Sequence, residues 1–155
     1  MNEIHETYDF DAPPSNKDIA QTKVTKPVVC YDLIDLSNSN YSFSQTCFDA
    51  KDVEAYFNRM KKLCSSNIED IINNGERDWH LCPTKGRNIE TEIKRITNNP
   101  RLNQFPEIMH FALYTSKVMA SRQSGVKSPR IHFLVGRNGM ICPIFYDPYH
   151  EMNPM

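Results

Sequence analysis

The chain has 155 residues, a formal net charge of −1, 39% hydrophobic residues and 24% charged residues. These values suit one globular domain with a single core. No apolar run is long enough to cross a bilayer, and the first ten residues, MNEIHETYDF, lack a signal-peptide pattern. We therefore expect a cytoplasmic protein without a membrane partner.

Charge is distributed unevenly along the chain. Residues 1–50 contain eight Asp or Glu and three Lys, which leaves fifteen Lys or Arg and eleven Asp or Glu for residues 51–155. A basic excess of this size is far below that of a dedicated DNA-binding domain. The composition permits RNA as a partner without arguing for it.

Five cysteines are scattered through the sequence, and no CxxC motif joins any two of them. A secreted disulfide scaffold is shorter and richer in cysteine, so we expect reduced thiols. Zinc is the alternative, because Cys82 is near His80 and Cys142 is near His150. Neither spacing matches a known finger or ribbon, so we expect no metal and no cofactor.

The first 26 residues are polar, contain few aliphatic side chains and include Pro13 and Pro14. Such a segment buries too little apolar surface to offset its ordering entropy. We expect a disordered acidic arm over 1–26 and a single α+β domain over 27–155. Alternatively, Tyr8 and Phe10 among acidic neighbours form a segment that docks on a partner or on the domain itself.

The domain begins with a predicted β-hairpin. β-Forming residues are concentrated from Val28 to Leu36, the sequence SNSN forms a turn cluster, and residues 41–44 alternate as a second strand.

Two helices are predicted next. Asp49 is placed to cap the first, whose apolar positions recur at helical spacing: Val53, Tyr56, Phe57, Met60 and Leu63. Ser66 and Glu69 have the form of a capping box for the second, in which Ile68, Ile71 and Ile72 make the apolar stripe and Asn74-Gly75 ends the helix.

The middle of the chain is harder to interpret. Trp79 is expected to anchor the core rather than to serve as a stacking platform. A short helix is suggested by Ile89, Ile93 and Ile96. Residues 108–119 fit either a strand or a helix, and we expect a strand in the first half.

The final part gives the clearest pattern, a β-hairpin. Two apolar segments, 130–135 and 140–146, flank a Gly/Asn turn at 136–139. Pro143 has no N–H to donate, so the last strand must lie at an edge or contain a bulge. The predicted fold is α+β, an antiparallel sheet with two or three helices packed on one face, in the order ββ-α-α-(α)-β-β-β.

Polar side chains gather around this last hairpin and form the best candidate site. A catalytic role in phosphodiester cleavage needs a group that titrates near neutrality and a cation. The candidates for this role are His150, Arg137, Arg130 and Tyr146. The candidates for partner binding are Tyr149, Asp147, Glu151, Arg122 and Lys127. A structural role is the alternative, since Asp147-Pro148 starts an ordinary turn, and His110 and His132 are expected to be hydrogen-bonded sheet residues.

Two stretches, VVCYDLIDLSNSNYSFSQTC and RIHFLVGRNGMICPIFYDPYHEMNP, resemble a group of small proteins associated with bacterial mobile elements. In that group a terminal hairpin ends with Asp-x-x-His and a nearby Pro, here Asp147, His150 and Pro154. More loosely, two helices followed by C-terminal strands are similar to the RelE/ParE-like toxins, some of which cut messenger RNA on the ribosome. The resemblance implies no settled activity.

Two functions follow as hypotheses. The first is a non-catalytic regulatory factor of a phage or mobile element that binds a protein of a host machine. The alternative is a metal-independent, RelE-like endoribonuclease. The small size, the near-neutral charge and the lack of a catalytic motif favour the first. The sequence does not indicate an oligomeric state.

Overall fold

A computed structural model describes residues 13–38, 40–44, 47–74, 79–84, 91, 100–115 and 128–150. Within this part of the chain, no helix has both the length and the apolar character that crossing a membrane requires. The predicted helix around Ile89, Ile93 and Ile96 lies outside it, as do residues 1–12 of the predicted arm.

A five-stranded sheet forms the centre of the fold, in the order β1-β5-β4-β3-β2. Its strands are β1 (Val28–Val29), β2 (Cys82–Pro83), β3 (Ile108–Ala112), β4 (Arg130–Val135) and β5 (Met140–Asp147). Strands β2 to β5 pair antiparallel, whereas β1 runs parallel to β5. The α+β class is confirmed. The prediction of a purely antiparallel sheet is wrong, because β1 begins next to the β4–β5 turn and runs in the same direction as β5.

Among the described residues, three α-helices accompany the sheet: α1 (Asn16–Lys23), α2 (Ala50–Ser65) and α3 (Ile68–Asn73), with a 3-10 helix at Pro100–Gln104. The observed order therefore differs from the predicted one, since a helix precedes the first strand and one strand replaces two. Asp49 caps α2 as predicted, accepting from the N–H groups of Lys51 and Asp52. The predicted cap of α3 is wrong by one residue, because the side chain of Asn67, not Ser66, accepts from Asp70 N.

The disordered arm predicted for 1–26 is wrong for its second half. Ser15 and Asp18 form a capping box that starts α1. Ile19 is buried in the core, and the Thr22 hydroxyl donates to Gly136 O at 2.6 Å while accepting from Gly139 N at 3.2 Å. One buried aliphatic residue and one buried hydroxyl in a short polar helix give too weak a periodic pattern to be recognised.

The hairpin predicted at 28–44 is also wrong, because among the described residues of this stretch only Val28 and Val29 form a strand. The residues that follow form turns in which Asp and Asn side chains accept hydrogen bonds from nearby backbone N–H groups. Asp35 Oδ1 accepts from the N–H groups of Ser37 and Asn38, and Asn38 Oδ1 accepts from those of Asn40 and Tyr41. Short polar side chains of this kind compete with strand pairing for the backbone.

The two faces of the sheet differ in composition. The helix face packs Met109, Phe111, Ile131, Phe133 and Tyr146 against buried residues of all three helices and against Trp79, which confirms Trp79 as a core residue. The opposite face is apolar at one end, where Ile108, Leu134, Cys142, Ile144 and Phe145 meet Leu33, Leu102 and Phe105. The other end of that face carries polar side chains.

The final hairpin is confirmed. Asn138 and Gly139 both have positive φ, 53° and 77°, as the tight hairpin turn requires. Phe133 pairs with Pro143 and His132 pairs with Phe145, which leaves Ile144 as the extra residue of a bulge. Pro143 therefore sits at a bulge, one of the two predicted alternatives, and not in an edge strand, since β5 lies between β1 and β4.

Candidate functional site

A row of polar side chains crosses three strands on the opposite face of the sheet. Cys82 pairs with His110 between β2 and β3, and His110 pairs with His132 between β3 and β4. Thr84 completes this polar row, since its Oγ1 lies 2.9 Å from His110 Nδ1 and 3.5 Å from His132 Nδ1. Cys82 Sγ lies 3.3 Å from His110 Nε2. The row thus runs from the edge strand into the centre of the sheet.

Charged residues lie at the inner end of the row. Arg130 pairs in register with Asp147, and its Nη1 donates to Ser128 O at 2.8 Å. His132 Nε2 lies 3.9 Å from Asp147 Oδ2, longer than a hydrogen bond but within the range of an ion pair. Both Arg130 Nε and His132 Nε2 are buried and have no hydrogen-bond partner among the described residues. His132 therefore only partly fits the expectation of a hydrogen-bonded sheet histidine.

Burial keeps the two sheet histidines neutral. Desolvation lowers the pKa of His110 to about 3, and the neighbouring His132, Arg130 and His150 add to that effect while Asp147 opposes it. Desolvation likewise lowers the pKa of His132, against the attraction of Asp147. Each neutral imidazole therefore presents one donor and one acceptor nitrogen to its neighbours.

Metal binding finds no support in the part of the chain that the structure describes. No group of three or more His, Cys, Asp or Glu there is arranged to hold an ion. None of the five cysteines forms a disulfide, and they range from the exposed Cys47 to the buried Cys142.

The predicted catalytic residues are only partly brought together. Arg130 and His150 are both buried at the polar end of the opposite face, and His150 has a left-handed backbone with φ 54°. Arg137 lies in the turn at the other end of the hairpin, seven residues after Arg130 and roughly 20 Å from it at the spacing of a strand. There it donates to Asp18 Oδ2 at 3.1 Å and to Pro13 O at 2.9 Å.

Tyr146 faces the other way and lies in the core of the helix face. Its hydroxyl donates to Asp52 Oδ2 at 2.9 Å, and Tyr114 donates to the second oxygen of the same carboxylate. Desolvation and the contact with Asp52 raise the pKa of Tyr146 far above its usual range. The structure therefore separates Tyr146 and Arg137 from the other two predicted catalytic residues.

The residues predicted to bind a partner also differ in exposure. Asp147 is buried beside His132, whereas the Tyr149 side chain is 64% exposed. Arg122, Lys127 and Glu151 lie outside the described residues. Of the residues that complete the polar row, Cys82 and Thr84 were missed. The sequence does contain a signal for the polar row itself, because His110 and His132 both lie in predicted strands and are flanked by apolar residues.

Exposed apolar side chains lie on α2 and in the loop after β1. Val53 and Phe57 were predicted to face the core, but Phe57 is 59% exposed and Val53 37% exposed. The rest of the predicted stripe, Tyr56, Met60 and Leu63, is buried as expected, together with Asp52. The Phe57 ring lies 5.2 Å from the Tyr56 ring, and the Tyr56 hydroxyl is 3.0 Å from that of the half-exposed Tyr31. We call Tyr31, Val53 and Phe57 the α2 patch.

A groove of about 310 Å³ lies on the other flank of α2. Trp79 forms part of its lining, and the Arg59 guanidinium lies 4.5 Å from the Trp79 ring centroid. Val53 and Phe57 are not among the residues that line this groove, so the α2 patch and the groove are separate features.

Comparison with known proteins adds no relative, since no family model, curated protein or solved structure matches the chain.

Proposed function

We propose that the protein is a non-catalytic regulatory factor that binds another protein through the α2 patch. The observation that carries the proposal is the exposed Phe57, with Val53 one helical turn before it and Tyr31 beside Tyr56. A group of exposed large apolar side chains is typical of an interaction surface, and aromatic residues often dominate binding energy there. Nothing in the helix geometry requires Phe57 to be apolar.

The partition of the predicted catalytic residues supports a binding function over the nuclease alternative. General acid/base cleavage needs its groups within hydrogen-bond reach of one substrate. Arg137 and Tyr146 do not satisfy this condition, and Arg130, Asp147 and His150 are buried. RNA remains the partner of the alternative hypothesis. The resemblance to mobile-element proteins makes a cytoplasmic host machine the proposed setting.

The experiment compares capture of partners by three tagged forms in the natural host. Phe57→Ser removes the most exposed side chain of the α2 patch. Ile72→Ser is the matched control, because Ile72 is an exposed aliphatic residue on α3 outside the patch. We expect a partner captured by the wild type and by Ile72→Ser to be depleted at least about tenfold with Phe57→Ser, the effect of losing an interface hot spot.

Equal capture by all three forms would contradict the assignment of the α2 patch. A second copy of the chain as the occupant would appear as a dimer that Phe57→Ser dissociates. RNA integrity after induction is the second measurement, in which we expect intact RNA. Degradation by the wild type that is lost in His150→Ala would favour the nuclease instead.

A further inference from the structure

Two cysteines stand opposite each other where the parallel pairing of β1 with β5 ends. Val29 pairs in register with Ile141, and the next hydrogen bond of the ladder runs from Cys30 N to Ile141 O at 2.9 Å. One further step along both strands places Cys30 directly opposite Cys142. The inference drawn from this pair does not depend on partner binding.

Pro143 explains why the ladder stops at the cysteine pair. In a parallel ladder the next bond would run from the N–H of residue 143 to Cys30 O. Pro143 has no N–H to donate, so this bond cannot form. The ladder therefore holds the Cys30 backbone to β5 through its N–H group alone, and the end of β1 is free to move a little relative to β5.

The spacing and direction of the two side chains suit a disulfide. Neighbouring strands lie about 4.8 Å apart, and the Cα atoms of bonded cysteines are about 4.4 to 6.8 Å apart. Both side chains lie on the opposite face, since Cys142 is buried in the apolar cluster there and Cys30 packs against the same cluster. A disulfide draws the two Cβ atoms to about 3.8 Å, a small approach that the end of β1 can make.

The two thiols differ in exposure, and this difference sets the order in which they can react. Cys30 is partly exposed, whereas Cys142 is fully buried. Burial and the adjacent Cys30 thiol raise the pKa of Cys142 to about 12, so Cys142 stays protonated at neutral pH. A dissolved reagent therefore reaches Cys30 first, and Cys142 meets the reagent only once it is attached to Cys30.

We propose that Cys30 and Cys142 form a reversible disulfide when the protein reacts with a small organic disulfide. The Cys30 thiolate attacks one sulfur of the reagent, a mixed disulfide forms, and one small thiol leaves with the proton that Cys30 has lost. Cys142 then attacks the Cys30 sulfur, the mixed S–S bond breaks, and the second small thiol leaves with the proton of Cys142. Two protein sulfurs are oxidised, and the reagent is reduced to two thiols. The fixed position of Cys142 gives it a high effective concentration, which offsets its small thiolate fraction.

The pairing is tested with glutathione disulfide as the probe. Folded wild-type protein is incubated with an excess of the probe, the remaining thiols are blocked with iodoacetamide, and a digest made without reductant is analysed by mass spectrometry. We expect one pair of linked peptides, containing Cys30 and Cys142 and lacking two hydrogen atoms. In urea, where the strand register is lost, the links should spread over all five cysteines.

Two single variants test the order of reaction. In Cys142→Ala the second step is impossible, so Cys30 should retain one glutathione as the mixed disulfide. In Cys30→Ala the buried Cys142 should remain an unmodified thiol. Cys64→Ala is the matched control, because Cys64 is also partly exposed but lies on α2, and this variant should form the same linked pair as the wild type.

A wild-type digest in which Cys30 and Cys142 are not linked would overturn the proposal. The same mixture of links in folded and in urea-unfolded protein would do so too, because the fold would then not select the pair. Glutathione on Cys142 in folded Cys30→Ala would contradict the order of attack. A variant that fails to fold will carry glutathione on all its cysteines, and the wild-type digest then decides the question.

Discussion

The two faces of the sheet are built from the same strands but differ in how completely their buried polar groups are hydrogen-bonded. The helix face buries Phe111, Phe133 and Tyr146 against α1, α2 and α3, and the buried carboxylate of Asp52 there accepts from two tyrosine hydroxyls. The opposite face buries Arg130 and His132, each with one nitrogen that has no partner among the described residues. Burial of polar groups without full hydrogen bonding opposes folding. We therefore expect the helix face to contribute more to stability than the polar end of the opposite face.

The largest expected effect comes from the helix face. Phe111 is fully buried, with its ring 5.7 Å from that of Trp79 and 6.0 Å from that of Phe133. We expect Phe111→Ala to lower the free energy of unfolding by about 3–5 kcal/mol, because it removes the contacts and leaves a cavity. Urea denaturation measures this.

Phe57→Ala is the matched control for that measurement, since it deletes the same ring from an exposed position. We expect a change within about 0.5 kcal/mol. A comparable loss in both variants would show that the helix face is not the main source of stability.

The next effect concerns the opposite face and its histidines. The pKa of His110 is about 3 in the folded protein against an ordinary value of 6.5, so the unfolded chain binds the proton first as pH falls. Stability should therefore decrease as pH falls below 6.5, by about 2 kcal/mol between pH 7 and pH 5 from His110 alone. The lowered pKa of His132 acts in the same direction.

His110→Gln should flatten this part of the pH profile, because the amide does not titrate. Unfolding in urea at pH 5, 6 and 7 gives the comparison, in a range above that in which carboxylates titrate. An unchanged slope in the variant would mean that other groups cause the acid sensitivity.

The smallest effect is expected at the turn end of the hairpin, away from both polar clusters. Arg137 and Asp18 form a partly exposed ion pair that ties α1 to the turn. We expect Arg137→Ala to cost no more than about 1 kcal/mol in unfolding free energy, because solvent and salt screen such pairs. The difference from wild type should shrink in 1 M salt. A loss of unfolding free energy as large as that of Phe111→Ala would contradict the expectation that this ion pair contributes little to stability.

The sequence predicts well what local chemistry determines. The β4–β5 hairpin follows from two apolar segments around Asn138-Gly139, and the start of α2 follows from Asp49. Pairing between distant segments is different. The parallel contact of β1 with β5 and the opposition of His110 and His132 depend on register across loops, which periodicity does not encode.

The candidate sites depend on the same long-range information. Val53 and Phe57 fit a helical stripe on α2 as well as the buried residues do, so only the docking of α2 on the sheet distinguishes patch from core. Tyr146 and Asp147 are neighbours in sequence, yet strand alternation places them on opposite faces. Polar residues that are close in sequence around one hairpin therefore do not by themselves indicate a common site.

The proposed binding function is tested most directly by calorimetric titration of the captured partner, once purified, into the wild type, Phe57→Ser and Ile72→Ser. The account predicts that Phe57→Ser raises the dissociation constant at least about tenfold, with Ile72→Ser close to wild type. Equal dissociation constants for all three proteins would contradict it and would move the binding surface away from α2.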